Sequence, residues 1–155
     1  MRKATTASAV AALALGATLV GTTVASAGHG VTEATTIHII DRDDKVAFHD
    51  FNHNGPDFGD IVAFRSIVTN PQGKTVGHGI GQVTLLGAQD NLLTYTAVLA
   101  GGDITMQGDI TGLAPGAHSQ LAVTGGTGRY GNVHGVTAAT QIGQGVTDLV
   151  IRLVP

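Results

Sequence analysis

The chain has no cysteine and no tryptophan, few aromatic residues (4%) and few charges (12%). Each shortage excludes something. Without cysteine there is no disulfide, no thiolate metal centre and no thiol nucleophile, so stability rests on backbone pairing and an apolar core. Lys and Arg number 8 against 11 Asp and Glu, with no basic run. Phosphate neutralisation therefore lacks its cations and base stacking its aromatic platforms, which excludes nucleic acid as a partner. Beyond residue 27 no apolar stripe of helical period lasts three turns.

Glycine is abundant, with 23 residues in a chain that is 43% hydrophobic. The first 27 residues read separately from the rest. Arg2 and Lys3 precede an apolar run from Val10 to Val20, and Ala25-Ser26-Ala27 matches the small-x-small cleavage rule. The run is broken by Gly16, Thr18 and Gly21 and is shorter than the ~18 residues of a membrane-spanning helix. This pattern predicts a secretory signal cleaved after Ala27, hence a secreted, extracellular protein with no membrane attachment after cleavage. Residues 28–34 then form a flexible N-terminus and 35–155 a single domain. Losing Arg2 and Lys3 makes the mature chain two charges more acidic than the formal −3 of the whole.

Short β-branched segments with turn residues between them fill that domain. Thr35 to Asp41 is strand-like, Arg42 to Lys45 reads as a charged turn, and Val46 to Phe58 as a loop around a short edge strand. Further strands are predicted over Asp60–Thr69, Thr75–Leu86, Asn91–Leu99, Asp103–Thr111, His118–Thr124, Tyr130–Ile142 and Val146–Val154. Asn70-Pro71-Gln72-Gly73 is a well-formed turn sequence. Gly125-Gly126-Thr127-Gly128 is a glycine-rich corner between strands; it lacks the Lys-Ser/Thr and following helix of a phosphate loop. Gly77, Gly79 and Gly81 alternate on one strand, which lets a sheet curl or accept a bulky neighbour. About eight strands favour a closed, eight-stranded antiparallel up-and-down β-barrel, which hides its edges.

Several of these segments carry a resemblance. Asp103 to Ala139, with Met106-Gln107-Gly108 and Leu121-Ala122-Val123-Thr124-Gly125-Gly126, resembles the allene oxide cyclase barrel, as does Gly59-Asp60-Ile61-Val62-Ala63-Phe64. The Gly-Gly-Thr-Gly corner, Val68-Thr69, Pro71 and Val76-Gly77 are similar to the related dirigent proteins. The likeness spans roughly residues 36–142. It implies an eight-stranded barrel with an apolar pocket, frequent oligomers (dimer or trimer), and a small hydrophobic or phenolic molecule as partner. It also implies chemistry without a cofactor: cyclisation of an unstable epoxide in the cyclases, steering of phenolic intermediates in the dirigent proteins.

The family's functional residues do not carry over. The plant cyclase glutamate aligns with His38 and its neighbouring asparagine with Ile40. A second asparagine aligns with Ser66, the pocket cysteine with Val83 and a pocket tyrosine with Ile110. The dirigent acidic residues fall near Arg65 and Ser66, and its arginines at Gly131 and His134. Asp41 is the acidic position both families roughly match. The alignment sets a phase in which His38, Ile40, Phe64, Ser66, Val83, Thr94, Thr96, Met106 and Ile110 face the lumen. A mainly apolar lining with a few polar points is what a small-molecule pocket requires.

His38, Asp41 and Ser66 are the candidate catalytic residues, and Ile40, Phe64, Val83, Thr94, Thr96, Met106 and Ile110 the candidate pocket. His49, Asp50, His53, Asp57 and Asp60 are metal-ligand types, but their spacing matches no metal motif, so no metal is predicted. Three functions remain open at this point: a barrel that carries or guides an apolar molecule, a cofactor-free cyclase or isomerase with altered residues, and a structural barrel filled by its own side chains.

Overall fold

A computed structural model describes residues 33–53, 55–87 and 90–155. The leader predicted over 1–27, and most of the flexible N-terminus, lie outside these residues. Eight strands follow one another: β1 (Thr35–His49), β2 (Ile61–Thr69), β3 (Thr75–Leu85), β4 (Asn91–Leu99), β5 (Gly102–Ile110), β6 (His118–Gly126), β7 (His134–Gly143) and β8 (Val146–Val154). Each pairs antiparallel with the next, and β8 returns to β1 through pairs such as Ile39 with Leu149. The barrel is closed, so the sheet has no unpaired edge.

One prediction is corrected at β1. Arg42 to Lys45 is not a turn, and Val46 onward is not a loop: the strand runs unbroken to His49. Its backbone finds partners in β2, with Asp43 opposite Ser66 and Lys45 opposite Arg65, so Asp44 is an extra residue bulged out of the ladder. Lys45 facing Arg65 places like charges directly opposite, which is unfavourable. The Asp44 carboxylate accepts hydrogen bonds from Nε and Nη2 of Arg65 and offsets that repulsion. Arg42 and Lys45 mark the outer face of a strand with a bulge at Asp44, not a reversal of the chain.

Eight strands leave an interior that side chains can fill or one small ligand can occupy. This barrel does both, at different heights. One half is packed solid by Val68, Ala97, Ile104, Met106, Val123, Ile151 and Leu153, each nearly or wholly unexposed. Its end is closed by the glycine corner. Gly128 to Tyr130 form a 3-10 turn that drops Tyr130 and then Val133 into the core. Gly128 takes φ +58, and a Cβ on Gly126 would come within 2.6 Å of the Tyr130 carbonyl oxygen. Only residues without a side chain allow that approach. Arg129 lies over the Tyr130 ring at 5.1 Å. The corner is therefore the stopper of the closed end.

Candidate functional site

The other half of the barrel is hollow. The cavity has a volume of about 130 Å3 and opens at the end that carries the β1–β2, β3–β4, β5–β6 and β7–β8 connections. Its wall is apolar over Phe64, Val83, Leu93, Ile110, Leu121 and Leu149, and the exposed Val46 and Leu113 stand at its rim. Polar groups come from Asp41, Asp43, Tyr95, Ser119, Gln141 and Thr147.

Alternation along the strands decides which side chains reach this space. On β1, Ile39 and Asp41 point inward and are buried, whereas His38 is exposed and its Nε2 lies 2.7 Å from Oδ1 of Asp148 on the outer face. The predicted lumen positions His38 and Ile40 are therefore corrected to the outside of the barrel. On β4, Leu93, Tyr95 and Ala97 point inward. Thr94 and Thr96 are outside too: Thr94 accepts a hydrogen bond from Gln107 at 3.3 Å among exposed side chains. Both errors are a slip of one residue, which moves a whole strand's side chains to the opposite face. Phe64, Val83 and Ile110 line the cavity as predicted, and Met106 points inward but belongs to the packed half.

Asp41, Ser66 and Tyr95 meet at the cavity wall. Asp41 is 5% exposed and Ser66 1%. The Ser66 hydroxyl donates to Oδ1 of Asp41, and the Tyr95 hydroxyl donates to the same oxygen at 2.5 Å. Oδ2 of Asp41 receives no hydrogen bond from the described residues, although Asp41 lines the cavity. Ser66 sits behind the carboxylate, off the cavity surface. Burial raises the Asp41 pKa above the ordinary carboxylate value, and the two donated hydrogen bonds oppose that rise without cancelling it. Burial, reinforced by the neighbouring Asp41 charge, pushes the Tyr95 phenol far upward and keeps it a donor. Asp43, two residues along at the mouth of the cavity, is exposed, and its pKa is raised first by partial desolvation and then by Asp41.

Glycines on β3 make the room. A Cβ on Gly79 would overlap both the Ser66 and Tyr95 hydroxyls, and one on Gly81 would lie 2.6 Å from the Phe64 ring. The bare stretch of β3 is thus the bed on which the network and the aromatic wall lie. The Phe64 and Tyr95 rings stack at 6.1 Å and 18°. Sequence reasoning missed Tyr95 and Asp43. The signal for Tyr95 was present in Leu93-Thr94-Tyr95-Thr96-Ala97, whose apolar members alternate with threonines.

The residues with metal-ligand side chains in the β1–β2 loop serve the backbone instead. Asp50 accepts from the amides of Asn52, His53 and Gly55, and the unexposed Asp60 accepts from those of Phe51 and Asp57, each at 3.0 Å. Among the described residues no three potential ligands converge.

Comparison with known proteins agrees with the geometry. The model of the allene oxide cyclase barrel like domain matches residues 35–152. The chain belongs to this family. No curated protein matches the sequence. Among solved structures, a pyocyanin demethylase superposes with a TM-score of 0.68 at 27% identity, covering 77% of this chain and all of the other. An exo-specific intermolecular Diels–Alderase gives 0.61 at 16% identity, covering 77% and 97% of the two chains. A nonspecific heme-binding cyclase that catalyses a [4 + 2] cycloaddition gives 0.59 at 20%, covering 78% and 65%. At these lower identities the likeness is one of fold: an allene oxide cyclase-like barrel shared by members that differ in chemistry.

Proposed function

We propose that this barrel takes a small, largely apolar ring compound into its open half and guides its reaction there, with Asp41 as the group that holds or moves a proton. One observation carries the reading: a buried carboxyl of raised pKa, oriented by two hydroxyl donors, on the wall of an otherwise apolar cavity. Cavities of about 150 Å3 lined by aliphatic groups admit one benzene ring, so a ring of that size fits within and the rest of the ligand extends past Val46 and Leu113. The 27%-identical relative is named for the demethylation of pyocyanin, which supports a small-molecule substrate.

Ser66 and Tyr95 fix the carboxyl through Oδ1 and leave Oδ2 for the ligand. A carboxyl so placed gives up or accepts a proton nearer neutral pH than a solvated one, which suits general acid–base catalysis of an isomerisation or cyclisation. The apolar wall adds positioning, which lowers the entropic part of the barrier. The predicted leader supports the view that the protein works outside the cell, in a dirigent-like guiding role.

Native mass spectrometry of the exported protein tests the reading by looking for a co-purified small molecule, whose turnover is then followed. At saturating ligand, Asp41→Asn is expected to lose turnover by about a hundredfold or more, the usual scale for a general acid or base. His38→Ala is expected to change neither binding nor turnover. A folded barrel that binds no small molecule would refute the reading. Turnover unaffected by Asp41→Asn would remove the proton-transfer role.

A further inference from the structure

Building on the ligand-binding reading above, we infer that the cavity selects an aromatic cation, such as an N-alkylated heteroaromatic ring or a protonated aryl amine, held between the Phe64–Tyr95 wall and the carboxylates of Asp41 and Asp43. The charge of the lining is one-sided. Asp41 and Asp43 face the space, and no Lys, Arg or His is among the described residues that line it. Arg42, Lys45 and Arg65 belong to the outer face of the same strands, where Arg65 is already paired with Asp44.

A buried carboxylate without a counter-ion is unfavourable. Asp41 meets two hydroxyls at Oδ1 but no positive group, and Oδ2 has no donor among the described residues. Burial favours the protonated carboxyl, and it raises the pKa of Asp41 and, at the mouth, of Asp43. A cationic ligand supplies the missing charge instead. The stacked Phe64 and Tyr95 rings add the electron-rich faces that attract cations, more strongly where water is excluded. A carboxylate-bearing ligand would meet the buried Asp41 and, at the exposed mouth, Asp43, two charges of its own sign, and be rejected. The apolar wall alone admits a neutral ring, but gains nothing from the carboxylates.

A cation binds the ionised carboxylates in preference to the protonated ones, so affinity rises with pH as Asp41 and Asp43 ionise. The remaining titratable group at the network is Tyr95, whose phenol stays protonated. From the other walls come Ser66 of β2, the glycines of β3, Gln141 of β7 and Thr147 of β8, none of which titrates.

Three probes of matched shape decide the matter: N-methylquinolinium, methylnaphthalene and naphthoate, titrated into the whole protein by calorimetry at mildly acidic and mildly basic pH. The cation should bind about tenfold or more tightly than the hydrocarbon, a difference of ~1.4 kcal/mol. Naphthoate should bind weakest, and the cation's advantage should widen at the higher pH. Asp43→Asn, a rim substitution with little effect on folding, should reduce that advantage, and Asp41→Asn should reduce it further. Equal or tighter binding of methylnaphthalene overturns the inference while leaving the binding chamber intact. Failure of all three to bind refutes the chamber itself.

Discussion

A carboxyl group enclosed by two hydroxyls and a phenyl wall is held in place at a cost to the fold. The folded state raises the pKa of Asp41, so it binds the proton more tightly than the unfolded chain does. The sign follows from proton linkage: this contribution to stability is complete below the unfolded value, near 3.9, and fades as pH climbs through the raised folded value. Asn at this position accepts the same two hydroxyl hydrogen bonds without ever charging. Asp41→Asn is therefore expected to equal or exceed the parent in stability at pH 8, by on the order of 1 kcal/mol. The difference should shrink as pH falls toward 4 in urea titrations. Gly79 is the other residue on which the network depends. Because its missing Cβ is the space that the Ser66 and Tyr95 hydroxyls occupy, Gly79→Ala should cost about 1–3 kcal/mol. It should also abolish the Asp41-dependent reaction, whereas the half-buried Gly112, where an added Cβ would meet nothing within 4 Å, tolerates alanine with little loss of stability.

At the scale of elements, the strand positions from β2 to β8, apart from the start of β7, predicted at Tyr130 but found at His134 beyond the 3-10 turn, could be read from β-branched runs and turn residues, because alternation and punctuation are local signals. Asn70 shows why: its side chain accepts from the amides of Gln72 and Lys74, a turn fixed by its own sequence. The phase of β1 was not local. Ile37, Ile39 and Ile40 place apolar side chains on both faces, so hydrophobicity does not choose between them, and the choice is made by pairing with Leu149 and Val68. Asp41 reaches the cavity only because His38 and Ile40 do not. The glycine stripe of β3 was legible as space, but not what filled it. Continuity of β1 through its charged segment has a direct test: amides of Arg42 to Phe48 that bond to β2 or β8 should exchange with deuterium far more slowly than those of the Asn70–Gly73 turn. Uniformly fast exchange would restore the charged turn in place of the strand.

For the whole molecule, the division into a packed half and a hollow half turns one substitution into two opposite experiments. Ala97 and Ala139 both point into the barrel, but Ala97 is fully enclosed in the packed half while Ala139 lines the cavity. Leucine at 97 has no free volume to enter and must displace its neighbours, an overpacking that costs about 1–3 kcal/mol. Leucine at 139 extends into space already empty. It buries additional apolar surface, worth roughly 25 cal/mol per Å2 removed from water, and consumes part of a volume of about 130 Å3. Ala139→Leu should thus leave thermal stability unchanged or higher while weakening binding of a ring-sized ligand at least tenfold. Ala97→Leu should lower stability, with ligand affinity in the folded protein largely kept. Thermal melts with and without an aromatic probe separate the two, because a ligand at free concentration L stabilises the native state by RT ln(1 + L/Kd). If both variants lose stability and keep affinity, the open half is not where ligands bind.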